Sequence, residues 1–505
     1  MSQVATSETE RGTEVKSYKN YIGGSWVESK TGRTFNSVNP AHKDRVLGVM
    51  QASNAQDVDA AVGAAEKAFA AWRRTPAPAR GEIILRAGLL IEQRKEELAR
   101  LMTQEMGKVL KEARGDVQEA IDMGKYAAGF GRRPFGETVP SELRNKAALT
   151  RREPLGVIGC ITPWNFPLAI PTWKIFPALM AGNTVVFKPA SDTPIMATRL
   201  VEILEEAGLP GGVLNLVTGS AAEAGDPLVK DPRVAGISFT GSTTAGRQIA
   251  EYCGKTLKRL GLELGGKNAI VVLDDADVPL AVDGALWGAF GSSGQRCTAA
   301  SRLIVQRKVE GDFTDLLQER AAKMKVGDGL LPDTDMGPVI NEAALKKVHE
   351  YTEIGRREHA RLVHGGDFAG SDGWFYRPTI FADGRKDMRM AQEEIFGPST
   401  LVMPVGSLEE ALEVANSTSY GLSLSIYTND LRKAFHAMDE LQSGIVYVNA
   451  PTIGAEIHLP FGGTKNTGNG HREAGMVALD EFTEWKTIYV DYSGRLQRAQ
   501  IDTGE

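Results

Sequence analysis

From residue 54 the apolar positions Val58, Val62, Ala65, Phe69 and Trp72 recur at steps of four and three, which is one face of a helix. Asn54 stands where a helix cap belongs. Asp57 falls in the first turn, where a carboxylate suits the unpaired N–H groups. The run TPAPARG then interrupts the pattern. A second helical pattern carries Ile84, Leu90, Ile91, Leu98 and Leu101, and a third covers roughly residues 109–129.

Between residues 155 and 275 the pattern changes to short apolar runs bounded by Gly and Pro, each followed by a helix-like stretch. GVIGCIT precedes a helix reaching Ala181, and NTVVFKP precedes TPIMATRLVEILEEAG. GVLNLVTG precedes a short helix, and RVAGISFTG precedes TTAGRQIAEYCG. Serial β–α units of this kind predict an α/β fold with a parallel, doubly wound sheet. A second series begins at NAIVVL and continues through SRLIVQ, a long helix from Glu310, SLSIYT and GIVYVN. It predicts a second α/β domain. Ligands of open sheets sit beyond the carboxyl ends of the strands, so chemistry is expected just after them. The chain carries no internal repeat and no low-complexity segment.

Composition narrows the class. The 505 residues leave room for two or three domains with sizeable cores. Hydrophobic residues at 42%, charged residues at 24% and a net charge of −6 describe an ordinary globular chain. No run concentrates basic charge, so nucleic acid is not an expected partner. No stretch approaches the roughly 18 consecutive apolar residues of a membrane span, so no membrane association is expected. The polar start MSQVATSETERGTEVK reads as a flexible tail over residues 1–16 rather than a secretory signal. Three cysteines, Cys160, Cys253 and Cys297, are too few for a disulfide framework, which points to a reducing, cytoplasmic setting. The seven histidines show no metal-ligand spacing, and no metal site is expected.

Several residues could carry chemistry. Cys297 lies in FGSSGQRCTAASR, a polar, glycine-rich stretch; the bland alternative is a packed apolar thiol, which suits Cys160 and Cys253 better. Glu263, in RLGLELGGKNAIVV, is an acid in an apolar run, where burial raises a carboxyl towards neutral pH and makes it a base. Its alternative is a helix cap or an ion pair. Asn165, in ITPWNFPLAI, follows a predicted strand on a turn stiffened by proline, and its amide could donate to an oxyanion or merely satisfy the turn. Lys188 ends NTVVFKP and could meet a ribose or a phosphate, or simply be solvated. In ISFTGSTTAG, Gly241 and Gly246 let the backbone approach a ligand, and Ser242 with the helix start could hold a pyrophosphate. This stretch is not the Gly-x-Gly-x-x-Gly dinucleotide fingerprint, and EEIFGP (Glu393–Pro398) says nothing alone.

Taken in order, PWNFP, NTVVFKPAS, FTGSTTAG, LELGGKN, GQRCTA, EEIFGP and LPFGGTKNTGNGHREAG resemble the aldehyde dehydrogenase superfamily. The resemblance runs from YIGGSW near residue 21 to KTIYVDY near the end. It implies a Rossmann-like NAD(P)-binding domain (17–136 and 155–263), a catalytic α/β domain (264–482) and a small β flap for oligomerisation (137–154 and 483–495). A homodimer or homotetramer is implied too. Roles follow at matching positions: Cys297 attacks the aldehyde, the Asn165 amide and the Cys297 N–H hold the oxyanion, and Glu263 activates water to release the acid. Lys188 contacts the adenosine ribose, Ser242 the pyrophosphate and Trp164 the cofactor groove. Glu394 and Phe396 hold the nicotinamide ribose.

The acid at Glu263 favours hydrolysis over transfer to coenzyme A, whose users in this family generally lack it. Strict NAD users place a glutamate three residues after the strand-end lysine, whereas this chain has Ser191, followed by Asp192. NADP as well as NAD is therefore expected, because a carboxylate there would repel a 2′-phosphate. KPASDTP, GQRCTA and NAPTIGAEIHLPFGG most resemble branches that oxidise semialdehydes bearing a distal carboxylate, with 2-oxoglutarate semialdehyde first among them. Arg296, Thr298, Pro451 and Ile457 are the expected substrate contacts. The rivals are a broad-specificity aldehyde dehydrogenase and a non-catalytic binding protein on the same fold.

Overall fold

The computed structural model describes residues 15–133 and 135–502. Of the expected tail, residues 1–14 lie outside these. The first helical pattern forms the helix Ala55–Trp72, with Asn54 as its cap. The Asn54 side chain accepts from the Asp57 N–H while Asp57 accepts from the Asn54 N–H, so two unpaired donors are satisfied reciprocally. The second pattern is two helices, Ala77–Gln93 and Lys95–Met106, because Arg94 leaves helical geometry. The third is the helix Leu110–Ala128. The helix expected from Glu310 starts three residues earlier, as Arg307–Ala322.

Two seven-stranded sheets carry the fold. In the first, the strands Arg259–Glu263, Val234–Thr240, Val157–Ile161, Thr184–Lys188 and Leu214–Leu216 lie side by side and parallel. The short strands Asn20–Ile22 and Ser25–Val27 extend that sheet antiparallel. Val157–Ile161 and Thr184–Lys188 are buried at every position, as the unbroken apolar runs predict. The parallel registers pair Ile161 with Lys188 and Thr240 with Glu263. The segments that follow these strands therefore share one edge.

The second sheet centres on Asn268–Val272, Ala300–Gln306 and Ser399–Val405. It is parallel except for Arg361–His364 at one end. Asn268 pairs with Ala300, so the second sheet turns the amino ends of its central strands to the site. Cys297 therefore precedes its strand, where the rule for open sheets had placed chemistry after it. A third sheet joins Thr483–Asp491 to Lys146–Pro154 along nine antiparallel pairs, with Thr138–Val139 on the far side.

Candidate active site

The loop bearing Cys297 is held from several sides. Ser292 and Ser293 take left-handed backbone angles (φ 51° and 58°). The Ser292 N–H donates to both oxygens of buried Glu112 at 2.9 Å, and its hydroxyl to one of them at 3.0 Å. The Ile340 N–H donates to the Gln295 side chain at 2.8 Å, and the Asn268 amide donates to the carbonyls of Cys297 (2.7 Å) and Ala299 (3.0 Å). A side chain at Gly266 would collide with the Cys297 carbonyl, so the glycine of LELGGKN lets strand and loop approach.

Cys297 lines two cavities at once. One is a cleft of about 250 Å³ that also exposes Pro163, Trp164, Asn165, Ser242, Lys347 and Glu394. The other is a narrow tunnel of about 70 Å³ walled by Phe166, Trp173 and Phe461, with Glu263, Glu473, Arg296 and Glu119 as its ionisable residues. The sulfur thus stands where two ligands could meet from opposite sides. Burial pushes its thiol up to about 12, and Glu263, Glu394 and Glu473 add to the effect. By contrast, Cys160 lies fully buried inside a strand and Cys253 in a helix.

Asn165 is buried, and one N–H of its amide donates to the Gln295 carbonyl at 3.0 Å, leaving the second free among the described residues. Glu263 ends its strand rather than capping a helix. Among the described residues, neither of its buried carboxylate oxygens has a hydrogen-bond partner. Burial first, and repulsion from Glu473 second, raise its carboxyl well above the usual range. Glu473 in turn pairs with Lys174, whose ammonium also donates to the Ser238 hydroxyl at 3.0 Å. Reading the sequence missed both: Lys174 stands alone as a charge inside the apolar helix Ala169–Ala181, which was the available signal, and its partner lies 299 residues away.

On the cleft side, Trp164 and Phe396 meet edge to face with centroids 5.5 Å apart. One Glu394 oxygen accepts from the Gly266 N–H at 2.9 Å. Ser242 caps the helix Thr243–Thr256, so the positive end of that helix opens beside Gly241 into the cleft. Lys188 and Ser191 lie outside this cavity, further along the same sheet edge. Burial lowers the Lys188 ammonium to about 8, opposed only by Asp192, and among the described residues it forms no ion pair. A buried cation without a partner, a helix start and a flat aromatic groove fit a dinucleotide phosphate, ribose and ring. Ser191 donates its hydroxyl to the Gly219 carbonyl at 3.0 Å, while Asp192 is held by the Asn341 amide at 2.8 Å.

On the tunnel side, Arg296 and Thr298 both line the wall. The Arg296 Nε–H donates to the Ser292 hydroxyl at 3.2 Å, and its guanidinium lies 5.2 Å from the Phe166 ring centroid and 5.1 Å from that of Trp287. Pro451 and Ile457 are not in the wall; Gly454 and Ala455 of the same loop are. Ile457 packs instead against the core cluster that contains Trp173. Among the described residues no cluster of ligating side chains suits a metal, and no helix is long and apolar enough to cross a membrane.

The model of the aldehyde dehydrogenase family matches residues 26–488, and the chain belongs to that family. It is 44% identical to the 2,5-dioxopentanoate dehydrogenase of Saccharolobus solfataricus over 94% of this chain and 99% of that one. It is 45% identical to the α-ketoglutarate semialdehyde dehydrogenase of Haloferax volcanii, with the same two coverages. Among solved structures it superposes on a betaine aldehyde dehydrogenase of Staphylococcus aureus in complex with NAD⁺ at a TM-score of 0.92. That pair shares 35% identity over 95% of this chain and 96% of the other. The NAD⁺ complex of a Bacillus cereus aldehyde dehydrogenase gives the same TM-score at 38% identity, over 94% of this chain and 97% of the other. The protein is an NAD(P)-dependent aldehyde dehydrogenase acting on small-molecule aldehydes.

Proposed function

We propose that the protein oxidises a semialdehyde carrying a distal carboxylate, 2,5-dioxopentanoate (2-oxoglutarate semialdehyde) first among them, through a thioester on Cys297. The observation that carries this reading is Arg296, a cation in the wall of an otherwise mainly apolar tunnel that ends at the sulfur. The names of the Saccharolobus and Haloferax relatives support it.

Because the thiol is pushed up to about 12, it does not ionise on its own near neutral pH. Attack on the aldehyde carbon therefore gives up the thiol proton to water as the C–S bond forms, a step that leaves Glu263 unprotonated; Glu263 faces the same tunnel with both oxygens unpaired among the described residues. The free N–H of Asn165 and the Cys297 N–H hold the oxygen that becomes negative in the thiohemiacetal. A nicotinamide cofactor would supply the hydride acceptor; Trp164, Glu394 and Phe396 would hold its nicotinamide end, and Gly241, Ser242 and Lys188 its phosphates and ribose. Glu263 then draws a proton from water as it attacks the thioester, so the product is the carboxylic acid. NADP⁺ is accepted beside NAD⁺, because Ser191 puts no charge against a 2′-phosphate and Lys188 puts a positive one nearby. We place the enzyme in the cytoplasm as a homodimer or homotetramer, with the three-stranded sheet as the contact between subunits.

Turnover of 2,5-dioxopentanoate, 5-oxopentanoate and uncharged pentanal, each with both cofactors, tests the reading. Both acids should exceed pentanal in kcat/KM, and Arg296→Leu should cut them by roughly 10–100-fold while sparing pentanal, as expected for losing a charged hydrogen bond. Pentanal turning over as well as the acids would favour the broad-specificity reading instead. A strong preference for NAD⁺ would refute the cofactor assignment.

A further inference from the structure

On the helix Leu110–Ala128, three acids at positions 112, 116 and 119 share one face. Two of them are used in holding the structure together. Glu112 accepts from Ser292, and Asp116 accepts from the Lys108 ammonium at 2.9 Å and the Ala169 N–H at 2.8 Å. Glu119 is different. It lines the substrate tunnel with Arg296 and Cys297, and among the described residues it makes no hydrogen bond and no ion pair. A half-buried carboxyl that lines a ligand cavity, with no partner among the described residues, is a group available to the ligand.

The charged groups around it come from every side of the tunnel. Asp116 and Asp122 lie on its own helix, Lys108 just before that helix, Arg296 on the nucleophile loop and Tyr447 on the strand Ile445–Val448, with Glu456 beside Tyr447. Burial, reinforced by Asp116 and opposed by Arg296 and Lys108, raises the Glu119 carboxyl to about 8. At neutral pH it is therefore an uncharged O–H donor. It does not repel an anionic substrate, and it adds one donor to a wall whose cation is Arg296.

We infer that Glu119 is a specificity-determining residue: it hydrogen-bonds the oxo group next to the substrate's distal carboxylate, while Arg296 holds the carboxylate itself. The inference rests on the carboxylate reading proposed above. One cation and one neutral donor suit a 2-oxo acid, whose carbonyl and carboxylate oxygens are all acceptors. A methylene in place of the oxo group would leave the Glu119 carboxyl without that partner.

The test compares 2,5-dioxopentanoate with 5-oxopentanoate in the wild type, Glu119→Leu and Glu119→Gln. The wild type should favour the 2-oxo substrate by about tenfold in kcat/KM at pH 7, the worth of a typical hydrogen bond read in the transition state. Glu119→Leu should abolish that advantage and leave 5-oxopentanoate within about threefold. Glu119→Gln, which keeps an N–H donor, should retain most of it. The wild-type advantage should also fall as pH rises through about 8, and in Glu119→Gln it should not. Equal losses on both substrates, or an advantage that survives Glu119→Leu, would overturn the assignment. Failure of the Arg296 reading would appear instead between 5-oxopentanoate and pentanal, so the two failures are distinguishable.

Discussion

At Cys297 and Glu263 the same physical cause has two useful results. Burial removes the water that would solvate a thiolate, so the resting sulfur stays protonated and is protected from adventitious chemistry. Burial also raises the Glu263 carboxyl well above its ordinary range, which makes its carboxylate a stronger base than a solvated one. Lys188 obeys the same rule with the opposite sign, since burial lowers an ammonium, here to about 8. Below that pH the side chain is charged and attracts a 2′-phosphate; above it the charge is lost. Between pH 7 and pH 9 the Kd of NADP⁺ should therefore rise several-fold more than that of NAD⁺, which has no phosphate at that position. Fluorescence titration with both dinucleotides measures this, and parallel changes would remove Lys188 from the 2′-phosphate contact.

Among the elements, local pattern and distant contact divide what was readable. The helix Ala55–Trp72 announced its cap and its buried face, and the strands of the first sheet announced themselves as unbroken apolar runs. The strand Arg259–Glu263 did not, because a glycine and two charges in five residues hide the pattern, and its identity depends on pairing with Val234–Thr240. The site shows the same division. Cys297, Glu263 and Asn165 were legible as motifs, whereas Glu112, Lys174, Glu473 and Glu119 matter through contacts that no local spacing encodes. The strand Thr483–Asp491 supplies a test at this scale. Trp485 and Tyr489 stand four residues apart on one face, 53% and 64% exposed, with Arg152 and Lys146 over their rings. An aromatic face of that kind left in water is a liability unless a second subunit covers it. On the proposed assembly the wild type should sediment as a dimer or tetramer, and the double variant Trp485→Asp, Tyr489→Asp as a monomer. An unchanged sedimentation coefficient would exclude that face from the contact.

In the whole molecule, the carboxyl edge of one sheet meets the amino edge of the other, and Cys297 sits at that junction. Trp164, Asn165, Gly241 and Ser242 arrive from the first sheet, Cys297 and Gly266 from the entry to the second. The cleft and the tunnel are then two openings on one sulfur. Neither sheet alone builds the site, which is why only the order of motifs along the chain, and not any single one, pointed to the chemistry. The central claim is that Cys297 carries the acyl group and Glu263 brings the water that releases it. The most direct measurement is rapid mixing of the Glu263→Gln variant with aldehyde and NADP⁺, followed by intact and peptide mass spectrometry. The variant should give a burst of reduced cofactor approaching one per site, slow turnover afterwards, and the acyl mass on the peptide that contains Cys297. Wild-type steady-state turnover in that variant, or an acyl group found on Cys160, Cys253 or nowhere, would contradict it.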